Sequence, residues 1–178
     1  MITATILRSV MPKSGRRAEL FVDPMNQYLQ ACGINTALRQ AAWLGQIAVE
    51  SGELQYTREI WGPTPQQLTY EGRADLGNTE PGDGFRFRGR GLIQVTGRAN
   101  YAQLGQALNA DLLTHPEYLE SPDLATASAC LFWQTHDLNM LTDVGDFSAV
   151  TRRINGGLTN YGLRVSYFGR AKAALEVV

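Results

Sequence analysis

Twelve residues, Ala41-Ala42-Trp43-Leu44-Gly45-Gln46-Ile47-Ala48-Val49-Glu50-Ser51-Gly52, constrain this chain more than any other stretch. Leu38, Ala41, Ala42, Leu44, Ile47 and Ala48 cover most of a helical circumference, which predicts a helix buried on nearly all sides. Thr36 is placed to cap it. A stripe of other character, Arg39, Trp43, Gln46 and Glu50, recurs at spacings of four, three and four and so shares one face. Glu50 falls at the C-terminal end, the negative end of the helix dipole. Two readings stay open on this segment alone. Glu50 is a helix-end residue before a Ser51-Gly52 cap, or it is a sequestered carboxyl of the kind that general-acid catalysis uses.

A core of this kind fits the bulk of the chain. Its 178 residues are 44% hydrophobic, enough for a sizeable core, and a single domain is expected over 1–178 with no second domain beside it. A net charge of −1 argues against a nucleic-acid binder, although Arg86, Arg88, Arg90 and Arg98 cluster. No apolar run reaches transmembrane length, and Met1–Arg8 lacks a charged region followed by an apolar one, so neither a membrane anchor nor a signal peptide is expected. Cys32 and Cys130 sit in apolar helical patterns and read as buried free thiols. His115 and His136 lack Cys or carboxylate neighbours at ligand spacing, so no metal is expected and no Ser-His-Asp or Cys-His mechanism.

Other helices follow from periodicity and caps. A short one is predicted through Leu20 and Phe21. Asp23-Pro24 then reads as a new start, with Met25, Tyr28, Leu29 and Cys32 behind it and Gly33 as its stop. Thr96, Ser121 and Asp146 are expected caps for later helices. Asn155-Gly156-Gly157 is a turn, and a final helix is expected from Asn160 to Val178. Between Gly52 and Gly91 glycine, proline and charge dominate, a long ordered loop of the kind that carries function. Phe85-Arg86-Phe87-Arg88 and Leu92–Val95 flank Gly89-Arg90-Gly91, which suggests a small hairpin.

Glu59 lies nine residues beyond Glu50. If the first helix stops at Gly52, Glu59 belongs to the loop and can face Glu50 across a groove. Glycoside hydrolysis needs two such carboxyls, one to protonate the leaving oxygen and one to activate water or attack the sugar. Glu53, Glu71, Asp75 and Asp83 compete for the second role. The stretch Gly89–Tyr101 adds Gln94, Thr96, Asn100 and Tyr101, donors, acceptors and an aromatic face suited to a sugar. Its plainer reading is a tight turn followed by a helix cap. Asn155-Gly156-Gly157 with Arg164 reads, alone, as a helix–helix turn.

Taken together these stretches resemble glycoside hydrolase family 19, the family of plant-type chitinases and many bacteriophage endolysins, with the endolysin branch nearest. Gln46-Ile47-Ala48-Val49-Glu50-Ser51-Gly52 is similar to that branch's Gln-x-x-His-Glu-Ser-Gly. Arg58-Glu59 resembles the element of the second catalytic Glu. Arg88-Gly89-Arg90-Gly91-Leu92-Ile93-Gln94-Val95-Thr96 through Asn100-Tyr101 resembles the Gly-Arg-Gly-x-x-Gln-Leu-Ser/Thr signature, and Ile154-Asn155-Gly156-Gly157 with Arg164 the C-terminal elements. Val49 departs from the pattern, standing where the family usually has His. The family's disulfides are absent too.

The resemblance implies a mainly α, lysozyme-like α+β fold, two helical lobes around a cleft with a small β-hairpin. It implies inverting hydrolysis of β-1,4 bonds in an N-acetylglucosamine polymer without a cofactor, with Glu50 as acid and Glu59 as base. Thr96 would help hold the attacking water. Gln94, Asn100, Tyr101, Asn155, Trp61 and Arg164 would make up the substrate site, with Arg164 tuning the carboxylates. A monomeric endolysin that degrades peptidoglycan is the leading expectation. It would accumulate in the host bacterial cytoplasm and reach the wall after membrane permeabilisation. A chitinase is the same-fold alternative. A catalytically dead sugar-binding module and a cationic membrane disruptor are the competing classes. Against the last, the final helix carries only Arg164, Arg170 and Lys172, offset by Glu176.

Overall fold

The structure, a computed structural model, describes residues 1–177. It is built almost entirely of helices: α1 (Ala4–Val10), α2 (Arg17–Ala31), α3 (Ala37–Glu50), α4 (Pro65–Leu68), α5 (Asp83–Arg86), α6 (Arg98–Leu108), α7 (Pro122–Thr135), α8 (Leu138–Asp143), α9 (Phe147–Asn155) and α10 (Tyr161–Ala174). The chain divides into two compact units. The first comprises Met1–Gln55 and the chain from Ala129 on, and the second Tyr56–Ser128. The mainly helical fold class read from the sequence is the one observed.

In the first unit α3 packs on α10 and α8, and α1 on α10 and α2. Every residue of α3 from Ala41 to Ala48 is buried, because its circumference is almost wholly apolar. Gly45 sets the approach of α3 to α10: a Cβ there would lie 3.0 Å from the backbone of Phe168. The Thr36 hydroxyl caps α3 by accepting from the Arg39 N–H. Asp146 likewise caps α9, accepting from Ala149 at 2.8 Å. Cys130 is buried and Cys32 half-buried, both as free thiols; burial pushes the Cys130 thiol up.

Four local expectations are revised. The helix after Gly15 does not restart at Asp23-Pro24, because α2 runs through Pro24. Ala18, Phe21, Met25 and Leu29 form one continuous buried stripe across that point, and Pro24 lies off it. Burial of four side chains, at about 1.5–3 kcal/mol for each large one, outweighs the ~3 kcal/mol cost of an internal proline. At the other end α10 stops at Ala174, and Val178, where the expected helix ended, lies outside the described residues.

Thr96 does not cap α6. The cap position is Gly97, at φ +96°. The acceptor comes from Asn78, whose side-chain oxygen takes the Arg98 N–H at 2.8 Å. The Thr96 hydroxyl donates instead to the Gln94 carbonyl at 3.0 Å.

The alternation Phe85-Arg86-Phe87-Arg88 is not a strand. Residues two apart on a strand share a face, yet Phe85 is exposed and Phe87 fully buried, and Asp83–Arg86 is a helical turn. The small β element is a pair of antiparallel bridges, Arg58 with Arg90 and Arg90 with Val95. It turns at residues 91–94. The Glu59 N–H donates to the Gly89 carbonyl at 2.8 Å, and the Gly91 N–H to that of Thr57 at 2.9 Å.

The core of the second unit is Phe87, Tyr101, Leu112 and Leu119, with Val95, Leu104, Ala110 and Leu124 around it. Asp83, 1% exposed, is clasped by Arg98 at 2.7 and 2.5 Å. That guanidinium holds the Asp83 carboxyl below the usual carboxylate range. A lowered folded-state pKa contributes stability that is present at neutral pH and lost as pH falls through the lowered value. Asp83→Asn is therefore expected to cost about 2 kcal/mol at pH 7, the buried-pair figure discounted because Arg98 is a third exposed. The difference from the parent should shrink toward pH 3. Urea titrations at the two pH values measure it.

Candidate functional site

Glu50 ends α3 with its side chain 20% exposed, and its Oε1 lies 2.6 Å from Nη2 of Arg164 on α10. The contact is an ion pair at an angle that is not that of a hydrogen bond, since Oε1 is buried and accepts no hydrogen bond. Arg164 is 2% exposed and is itself held on three sides. Its Nη1 donates to Gln46 Oε1 at 2.6 Å, and its Nε to the Thr159 carbonyl at 3.1 Å. Gln46 lies one turn before Glu50 on the same helix face, and its amide donates to the Thr151 hydroxyl at 2.7 Å. Thr151 donates in turn to Phe147. Two members of the stripe seen in the sequence, Gln46 and Glu50, thus belong to a buried polar chain with Thr151 and Arg164. Arg39 pairs instead with Asp143, and the buried Trp43 Nε1 has no hydrogen-bond partner among the described residues. A charge buried among satisfied partners keeps one geometry, and the part-exposed carboxylate is its outlet.

Glu59, in the second unit, is also half-buried. Oε1 accepts from the Gln67 side-chain amide at 3.0 Å and from the Tyr70 hydroxyl at 3.4 Å, and Oε2 from the Gly89 N–H at 3.1 Å. All three donors are neutral. Burial, and then the Glu59 carboxylate, push the Tyr70 phenol up, so it stays a donor. Gln67 is the hub. It closes a capping box with Thr64 at the start of α4, takes the Gly62 N–H on Oε1 at 3.1 Å, and gives its second amide hydrogen to the Ile60 carbonyl at 2.8 Å.

Gly89 brings Gln94 to the same place: a Cβ on it would lie 2.7 Å from Gln94 Oε1 and 3.3 Å from Glu59 Oε2. Gln94, at φ +56°, donates to the Gly91 carbonyl. The Asn100 amide donates to the Thr96 carbonyl at 2.7 Å, and Asn100 is exposed. Trp61 packs edge-on to exposed Phe85 at 5.3 Å and tilted to Tyr70 at 6.3 Å.

The expected residues therefore fall into two groups. Glu59, Gln94, Thr96, Asn100 and Trp61 gather in the second unit. Glu50 and Arg164 meet in the first, where Asn155 is exposed at the end of α9, one turn beyond Thr151. Two expected sugar contacts are interior instead. Tyr101 is fully buried, its hydroxyl donating to the Arg88 carbonyl at 2.7 Å and accepting from Arg90 at 3.1 Å. Burial pushes its phenol up to about 12. Arg164, 2% exposed, reaches a carboxylate and not the surface.

The other carboxyls once in competition are engaged elsewhere. Glu53 is buried and accepts from the Lys13 N–H and the Tyr167 hydroxyl. Glu71 accepts from the N–H groups of Gly82 and Gly84, Asp75 pairs with Arg73, and Asp83 with Arg98. Gln67 and Tyr70 escaped the sequence reading. The first had a signal in Thr64-Pro65-Gln66-Gln67, the spacing of a capping box. Removing the Gln67 amide should free Glu59 to rotate. If Glu59 reacts with substrate, Gln67→Met is expected to lower kcat by about 10²-fold, the effect of a displaced reacting group, with KM changed less than about twofold. A matching rise in KM would mean that the amide binds substrate instead of positioning Glu59, and a thermal melt of the same variant reads any loss of fold.

Among the described residues no cluster of His, Cys, Asp and Glu could hold a metal, and no helix is long and apolar enough to cross a membrane. The family model of glycoside hydrolase family 19, chitinase class I, matches residues 54–159, which include Glu59, Gln67, the Gly89–Tyr101 stretch and Asn155. A glycosyl hydrolase family 19 domain-containing protein of Haemophilus influenzae is 39% identical over 100 residues, 56% of this chain and 48% of that protein. An endochitinase of Arabidopsis thaliana is 30% identical over 185 residues, 99% of this chain and 63% of that one. The chain thus spans about half to two thirds of the length of these curated relatives.

In three dimensions it is similar to a bacterial family 19 chitinase, with a TM-score of 0.78 at 21% identity over 99% of this chain and 96% of that one. Chitinase C from Streptomyces griseus gives 0.77 at 20% identity over 98% and 76%. At such identities the structural likeness speaks for the fold, and the matched sequence speaks for descent. The chain belongs to glycoside hydrolase family 19.

Proposed function

We propose that this protein is a glycoside hydrolase that cleaves β-1,4 bonds of an N-acetylglucosamine-containing polymer, bacterial peptidoglycan, in the manner of an endolysin. Glu50 is the general acid and Glu59 the base that activates water, with inversion at the anomeric carbon. The observation that carries the reading is the state of Glu59. It is a part-exposed carboxylate held by three neutral donors in a family 19 chain, with a sugar-suited set of Gln94, Thr96 and Asn100 on the same segment. Neutral donors fix its orientation while adding no cation that would bind it as an ion pair. Glu50 is fixed by different means, through the buried Arg164. Trp61 and Phe85 offer aromatic faces to a pyranose ring, and Asn155 an amide. Arg164 acts through Glu50 and not on the sugar.

A second reading, hydrolysis of chitin, is favoured by the names of the relatives, which are chitinases. Turbidity of outer-membrane-permeabilised Gram-negative cells, measured beside cleavage of soluble chitin oligomers, separates the two. Clearing of cells with release of reducing ends supports the peptidoglycan reading. Cleavage of chitin alone overturns it in favour of the second. Cleavage of neither overturns both.

A further inference from the structure

Two residues flank the Glu59–Gly89 pairing, Arg58 before the one and Arg88 before the other, and both are cations. Arg58 is bridged to Arg90 by the backbone. Glu120 is shared between them, at 2.8 Å from Arg90 Nε and 3.4 Å from Arg58 Nη1. Arg90 has its other hydrogen bonds inside the unit, to the Arg86 carbonyl and the Tyr101 hydroxyl. Arg88 has far less. It is 9% exposed, lies with its guanidinium carbon 4.1 Å from the centre of the Phe85 ring, and donates from Nη1 to the Phe85 carbonyl at 2.8 Å. Its Nε is buried with no hydrogen-bond partner, and among the described residues no carboxylate lies within ion-pair distance of it. Of the three guanidiniums, Arg58 and Arg90 thus share the Glu120 carboxylate, and among the described residues Arg88 has no ion pair. Burial and the neighbouring Arg90 and Arg58 cations act on Arg88 in the same direction and lower its pKa.

A buried cation without an ion-pair partner is costly, and two like neighbours add to the cost. An anion arriving beside Phe85, where the Arg88 guanidinium lies, would relieve it. We propose that Arg58 and Arg88 form a subsite for a carboxylate carried by the substrate. Such a group distinguishes an acidic glycan from chitin: the lactyl ether of N-acetylmuramic acid ends in a carboxyl, whereas N-acetylglucosamine carries none. The inference rests on the hydrolase reading above and narrows its substrate to the acidic, wall-type polymer.

The test is binding of free N-acetylmuramic acid and of N-acetylglucosamine to the whole protein, followed by amide NMR shifts, with cleavage of sacculi and of chitotetraose measured in parallel. The acid is expected to bind about tenfold more tightly than the neutral sugar, the increment of one charge-assisted hydrogen bond. The difference should narrow in 0.5 M salt. Arg58→Gln and Arg88→Gln should each erase it and lower the ratio of sacculus to chitotetraose cleavage by a similar factor. Arg58 is half exposed, so its variant folds even if that of the more buried Arg88 does not. Equal binding of the two sugars by the parent, or a preference that survives Arg58→Gln, overturns the subsite. Loss of both cleavage activities in the parent would sink the hydrolase reading instead, and the binding comparison would still decide the subsite by itself.

Discussion

Glu50→Gln is expected to lower hydrolysis about 10³-fold, in the middle of the range for loss of a general acid. The amide is nearly isosteric and keeps an oxygen facing Arg164, so the chain should fold. The cost is the exchange of an ionic for a neutral acceptor beside a buried guanidinium, about 1–2 kcal/mol. Turnover on the cleaved polymer and a thermal melt of the same sample separate the two effects. A variant as active as its parent would remove Glu50 from the mechanism. One that is inactive because it is unfolded would be exposed by the melt.

Arg164→Met is expected to have the largest effect on stability. The side chain is 2% exposed and joins Glu50 to Gln46 within the first unit. Its removal leaves the buried Glu50 oxygen and the Gln46 carbonyl oxygen without partners. Loss of one member of a buried pair costs about 3–5 kcal/mol, on the order of 10 °C in Tm for a chain of this length. Arg164→Lys restores the charge but not the fork that reaches both acceptors, so it should recover part of the stability and little of the activity. If Lys restores kcat in full, the second arm of the fork, to Gln46, has no part in positioning Glu50.

The helix that ends in Glu50 was legible because its evidence is local. Its apolar residues, its stripe and its Thr36 cap all lie within one 15-residue window, and each is observed. The stripe also foretold the buried chain through Gln46, although not the residue that completes it. Arg164 stands 118 positions from Gln46, and nothing in its own turn distinguishes a surface arginine from a buried one. Tyr101 was misread for the same reason. Its aromatic ring suits a sugar, but its helix face turns inward to Phe87.

Where the reading failed locally, a distant partner had taken over a nearby role. Asn78 supplies the acceptor that Thr96 was expected to give, across 20 residues. The stripe of α2 overrides the proline that seemed to end it. Gln67 was readable in principle from its spacing to Thr64, but its bond to Glu59 comes from the fold of the Tyr56–Tyr70 loop and not from any periodic pattern. Two ordered motifs, Gly89–Thr96 and Arg58-Glu59, thus marked segments that pair through Glu59 and Gly89, while the side chains that hold the Glu59 carboxylate come from elsewhere in the fold.

The central claim is that two carboxyl groups, Glu50 giving its proton to the leaving oxygen and Glu59 as the carboxylate base on water, cleave a β-1,4 glycosidic bond with inversion. Proton NMR of the first sugar released, recorded within the first minutes before mutarotation, tests it most directly. The account predicts that the new reducing end forms as the α-anomer and that this signal disappears in Glu50→Gln. A reducing end that forms as the β-anomer would mean retention through a covalent or substrate-assisted route, and would contradict the assignment of Glu59 as a base acting on water.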